Sequence, residues 1–140
     1  MRLWHYKLIP YLPNEMLVAQ WRELIAIKRQ WEKGTLKHRL VSYVKEHYEA
    51  KQVFYGYAIK VVEELDKRKI KYNEKLLKEL GGFSEHICSL NNYPEHNDRY
   101  LTQCFYNLQE KYDRDIVNEK DWLKISDYYE TYMEEKRNGK

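Results

Sequence analysis

The stretch between Pro13 and Gly34 constrains this chain more than any other. It reads NEMLVAQWRELIAIKRQWEK. Leu17, Trp21, Leu24 and Trp31 recur at the spacing of one helical face, while Met16, Val18, Ile25 and Ile27 carry apolar character onto other faces. A helix apolar on several sides must be surrounded by protein. The spacing therefore predicts a central helix starting at Asn14, just after a proline, and ending at Gly34.

The remaining segments supply its cover. Residues 1–13 contain Pro10 and Pro13 and read as an extended arm leading into that helix. LKHRLVSYVKEHYEA predicts a shorter helix with Leu40, Tyr43, Val44 and Tyr48 on one side. QVFYGYAIKVVEELDKRKI predicts another, with Phe54, Ala58, Val61 and Leu65 on its apolar face. NEKLLKEL forms a brief helix that stops at Gly81-Gly82, and residues 82–96 form the longest loop. Asn97 caps a helix carrying Leu101, Cys104, Phe105, Leu108 and Tyr112. Asn118 caps a last one carrying Trp122, Ile125, Tyr129 and Met133, with a fraying tail. With 14 Tyr against only 5 Gly and 3 Pro, the composition suits packed helices. The expectation is an all-α chain forming a single compact helical domain over residues 1–140 with an extended N-terminal arm.

Cys88 and Cys104 lack paired spacing, which predicts reduced thiols and neither a disulfide framework nor a zinc site. His86, Cys88 and His96 match no standard metal spacing. MRLWHYKLIP has no signal-peptide core, and no apolar run reaches membrane length, so a cytoplasmic protein with no membrane, metal or cofactor partner is expected. The net charge of +3 hides an asymmetry: residues 1–80 hold 17 Lys/Arg against 10 Asp/Glu, and residues 81–140 hold 8 against 12. A basic half attracts polyanions, although a merely solvated surface has the same composition.

Arg22-Glu23 interrupts the apolar helix. The helical neighbours of Glu23 are Ala19, Gln20, Ala26 and Ile27, with no lysine or arginine among them to pair with it. Such a poorly solvated carboxylate suits general acid–base work, or else pairs with a basic group elsewhere in the fold.

Leu8-Ile9, Leu12, Leu17, Ala19 and Trp21-Arg22-Glu23-Leu24 fall without gaps on the start of a known family. On these residues the chain resembles the pyrimidine-dimer DNA glycosylase/AP lyases, the endonuclease V-like enzymes of phage, in which an aromatic residue precedes Arg-Glu-Leu. The opening MRLWH, the following LIP-x-LP and the later Tyr93-Pro94-Glu95-His96 are similar to an uncharacterised bacterial branch of that family. The resemblance is good over the first 25 residues, continues through the segment Phe54–Ile70, and is weak elsewhere.

The resemblance implies a helical domain whose N-terminal arm threads back, so that the terminal amine lies beside the glutamate. In the family the amine attacks the sugar carbon bearing the damaged base, expels the base and leaves an imine. The glutamate assists sugar opening and the elimination that cuts the strand. α-Amines as a class titrate at roughly pH 8, which makes them competent nucleophiles near neutrality. Carried over, Glu23 and Met1 are the catalytic pair and Arg22 positions phosphate or substrate. Arg2, Lys28, Arg29, Lys33, Lys37, His38 and Arg39 complete a DNA-binding set, with Lys67–Lys71 as a second patch. The implied partner is duplex DNA, damaged or abasic.

This chain departs from the family at three positions. The characterised phage enzyme exposes a threonine amine once its initiator methionine is removed, whereas Arg2 here is too bulky for ordinary removal. That leaves the Met1 amine, or Lys7 as a substitute. Ala26 and Leu3 stand where the family carries basic residues. Two other readings stay open: a catalytically silent nucleic-acid-binding protein of the same fold, and a helical protein-interaction domain.

Overall fold

The computed structural model describes residues 1–83 and 92–139, and the described residues carry helices and no strand. Helix α1 (Asn14–Lys33) starts behind Pro13, whose carbonyl accepts the Leu17 N–H at 2.9 Å. It ends at Gly34, whose φ of 71° is the left-handed turn that glycine adopts without strain. Leu17, Trp21, Leu24, Ile25 and Ile27 are buried on it, as the apolar spacing requires.

Helix α2 (Ala50–Lys67) packs along α1 and buries Phe54, Ala58, Val61 and Leu65. The short α3 (Glu74–Leu80) is capped by the Asn73 side chain. Helices α4 (Asp98–Asp113) and α5 (Glu119–Arg137) pair with each other and are capped by Asn97 and Asn118, the two residues predicted for that role. Their interface is aromatic: Phe105 stacks on Tyr129 at 3.9 Å between ring centres, and Trp122 lies against both Phe105 and Tyr112. One buried cluster connects Leu8, Ile9 and Leu12 of the arm with Leu24, Leu65, Leu101, Leu108 and Ile125.

Three expectations change. The arm is not extended throughout, because Tyr6–Tyr11 winds into a 3₁₀ helix containing Pro10. The helix expected over residues 36–50 is absent; Ser42–Lys45 forms a 3₁₀ turn, and Ala50 already opens α2. Val41 and Val44 favour helix weakly, and His38 offers its own ring nitrogen to the Leu40 N–H at 3.3 Å, a local bond that competes with a helical one. Leu40 and Tyr48, assigned to that helix's apolar side, are 47% and 88% exposed. The tail is helical as far as Arg137.

The arm is tied down at both ends of its 3₁₀ segment. Arg68, capping α2, donates to the carbonyls of Leu12 at 2.6 Å and Pro10 at 2.9 Å, to the Asn14 side chain at 3.0 Å, and to Glu64 at 2.8 Å. This arginine belongs to the basic run expected to face phosphate, and its donors are used inside the protein instead. At the other end, buried His96 accepts the Tyr6 N–H on Nδ1 at 3.2 Å. The neutral ring therefore carries its proton on Nε2, which donates to the Tyr43 hydroxyl at 2.6 Å. Buried His5 accepts the Lys7 N–H on Nδ1 at 3.1 Å. Burial pushes the pKa of His96 down to about 3 and that of His5 down to about 4.

Two predictions follow from these ties. Arg68→Ala leaves the part-buried Leu12 and Ile9 carbonyls short of a donor and lowers unfolding free energy by about 1–3 kcal/mol, while Arg68→Lys recovers only part because lysine lacks the planar fork. Urea titration at neutral pH measures both. Second, the unfolded histidines bind protons below about pH 6.5, whereas the folded ones stay neutral down to about pH 4 and about pH 3. Their contribution is thus complete above about pH 6.5 and is lost as the pH falls, at about 1.4 kcal/mol per pH unit for each histidine. His96→Gln should remove about half of that slope between about pH 4.5 and 6. An unchanged slope would contradict the buried neutral assignment.

Candidate active site

An arm running through protein without a partner strand exposes backbone polar groups that must be satisfied. Gln20, buried on α1, does this for residues 2–4. Its Nε2 donates to the Arg2 carbonyl at 2.9 Å, and its Oε1 accepts the Trp4 N–H at 2.8 Å. The side-chain amide thereby bonds the groups flanking Leu3 much as a parallel strand's peptide would. Tyr57 of α2 adds a hydroxyl between the Trp4 carbonyl at 2.6 Å and Gln20 Oε1 at 3.0 Å, donating its single proton to the nearer. Tyr100 of α4 donates to the Leu3 carbonyl. Burial raises the pKa of both phenols, so each remains a neutral donor.

This clamp delivers the chain's first peptide to Glu23. The Arg2 N–H points at Glu23 Oε2 from 3.4 Å, and Gln20 Nε2 lies 3.5 Å from the same oxygen. Both contacts are long, so the half-buried carboxylate keeps acceptor capacity for another group. Glu23 forms no ion pair among the described residues, which removes the alternative that it is a structural salt-bridge partner there. Met1, whose carbonyl completes that peptide, is 38% exposed, and its amine forms no ion pair with Glu23. Lys7, the alternative nucleophile, donates to the Tyr132 hydroxyl at 2.7 Å and lies over that ring.

The predicted DNA-binding residues divide into two groups. Lys28 is buried and paired with Glu32 at 2.7 Å, and Arg29 makes a two-pronged contact with Glu79 at 3.0 and 3.1 Å. The half-buried Arg2 places its guanidinium 5.5 Å from the centre of the Trp4 ring. Arg22, Lys33, Lys37, His38 and Arg39 are exposed. Arg22 borders a groove with Trp21, Lys71 and Tyr72.

Sequence reasoning undervalued Gln20, Tyr57, Tyr100 and His96. Gln20 left a trace as a polar residue three positions before Glu23 inside an apolar helix, and His96 only as the end of the Tyr93-Pro94-Glu95-His96 match. The tyrosines were hidden among 14. Cys104 is buried, as its apolar helical face implies, and burial raises its thiol pKa. Among the described residues no group of three His, Cys, Asp or Glu could hold a metal ion; His86 and Cys88 lie outside those residues. No described helix is long and apolar enough to cross a membrane.

The family model for pyrimidine dimer DNA glycosylase matches residues 1–78, which take in the arm, α1, α2 and the start of α3. No curated protein and no solved structure matches the chain. The match spans more than half of the 140 residues and contains Gln20, Glu23 and Tyr57, so the chain belongs to the pyrimidine dimer DNA glycosylase family.

Proposed function

We propose that this chain, acting as one domain over residues 1–140, excises damaged pyrimidines from duplex DNA. It then cuts the strand through an imine on its N-terminal amine. The observation that carries this reading is the Arg2 N–H held 3.4 Å from Glu23 Oε2, which brings the chain's leading backbone to a carboxylate with spare acceptor capacity. The neutral amine attacks the sugar carbon that bears the base, and the base leaves with the glycosidic electron pair and a proton. The sugar ring opens as its oxygen gains a proton, leaving an imine between the amine and the sugar carbon. Loss of a proton from the neighbouring carbon then expels the 3′ phosphate. Glu23 is the group placed to move these protons. The chemistry needs no metal or cofactor.

In a chain that begins at Met1, the reacting amine is that of Met1. Exposed Arg22, Lys33, Lys37, His38 and Arg39 supply phosphate contacts, which makes binding salt-dependent and independent of sequence. Lys7 is a poorer nucleophile because Tyr132 holds its amine.

Borohydride reduction in the presence of abasic duplex, followed by peptide mass mapping, tests the reading. The adduct is expected on the N-terminal peptide at Met1. Glu23→Gln is expected to slow strand cutting by about 100-fold or more while changing affinity for abasic duplex only a few-fold. An adduct on Lys7 would relocate the nucleophile. Intact binding with no adduct would instead establish the catalytically silent DNA-binding protein.

A further inference from the structure

The segment between α1 and α2 carries a feature that the proposed chemistry does not use. Leu36 and Val41 are buried within it, yet Leu40 beside Val41 is 47% exposed. The turn that displays Leu40 is braced. The His38 carbonyl accepts the N–H groups of Val41 at 3.1 Å and Ser42 at 2.9 Å, and the His38 ring accepts the Leu40 N–H at 3.3 Å. Lys45 Nζ donates to the Leu36 carbonyl at 3.1 Å and closes the base of the loop. The leucine is therefore presented by a preorganised support, which lowers the ordering cost of inserting it into a partner.

Its neighbours specify the partner's charge. Lys37 and Arg39 are exposed and have no carboxylate partner among the described residues, unlike Lys28 and Arg29, which are neutralised by Glu32 and Glu79. A lone exposed leucine is ordinary on any protein. An exposed leucine on a braced turn, preceded by two exposed cations that form no ion pair among the described residues, has the make-up of an apolar wedge, which unstacks a base step while its neighbours hold phosphates.

We infer that Leu40 is a duplex-inserting wedge, entering the DNA between base pairs near the lesion, with Lys37 and Arg39 on the flanking phosphates. The inference rests on the proposed DNA substrate but not on the imine chemistry. Unstacking near the target lowers the cost of exposing a damaged nucleotide to Glu23 and the N-terminal amine. Leu40 is thus a positioning residue.

The test uses the full chain and duplexes containing a tetrahydrofuran abasic analogue, which cannot form an imine. 2-Aminopurine is placed in turn at each position within roughly six base pairs of the analogue. Wild-type protein should raise fluorescence about threefold or more at one step, and Leu40→Ser should abolish that rise while keeping undamaged-duplex affinity within about twofold. The Lys37→Gln/Arg39→Gln double variant should instead lower affinity about tenfold and reduce the salt slope by about two. Because the analogue cannot form an imine, the fluorescence rise does not depend on the lyase chemistry, and a failure of the lyase reading is seen separately in the borohydride trapping. A fluorescence profile unchanged by Leu40→Ser, or absent in wild type despite tight binding, overturns the inference. So does a Leu40→Ser variant whose undamaged-duplex affinity falls as far as that of the double variant.

Discussion

The buried N-terminal arm imposes the constraint on which the rest of this structure depends. Burying peptide groups without a partner costs roughly 1–3 kcal/mol for each one left unsatisfied. Here the partner is the Gln20 amide, which presents one acceptor and one donor to the two sides of Leu3. Tyr57, Tyr100, His96 and Arg68 complete the set from three further places in the chain. Because each contributes a fixed directional bond, the arm has one register. A slip by one residue would turn buried Leu3 and Leu8 outward and present the wrong backbone groups to Gln20.

That register also sets the geometry of the candidate site. Glu23 lies one helical turn beyond Gln20, on the same side of α1, so the residue holding the arm and the residue facing its first peptide are neighbours at helical spacing. An apolar residue at position 20 could fill the core, but it would leave Glu23 with no positioned backbone to act on. The polar residue inside an otherwise apolar helix is thus explained by the chain segment it must hold.

Much of the helical framework was legible because it follows from periodicity and capping. Asn14, Gly34, Asn97 and Asn118 mark boundaries that α1, α4 and α5 observe within a residue. Glu23 was legible as a carboxylate lacking a helical counter-charge. The segment 36–50 departs from its pattern because Leu40, Tyr43, Val44 and Tyr48 have helical spacing, whereas the local His38–Leu40 bond and β-branched residues favour a turn. The tyrosine donors could not be singled out. A tyrosine that hydrogen-bonds an arm and one that stacks in a core look alike until tertiary structure places the carbonyl.

The family match ends at residue 78, but the arm does not depend on residues 1–78 alone. Tyr100 bonds Leu3, His96 bonds Tyr6, and Tyr132 holds Lys7, all from beyond that limit. Tyr11 also stacks on Tyr128 at 4.4 Å between ring centres. The matched half therefore supplies the carboxylate, the clamp residue Gln20 and the arm itself. The other half adds neutral phenols and an uncharged imidazole to the arm's partners, which can satisfy backbone groups without bringing a competing charge up to Glu23.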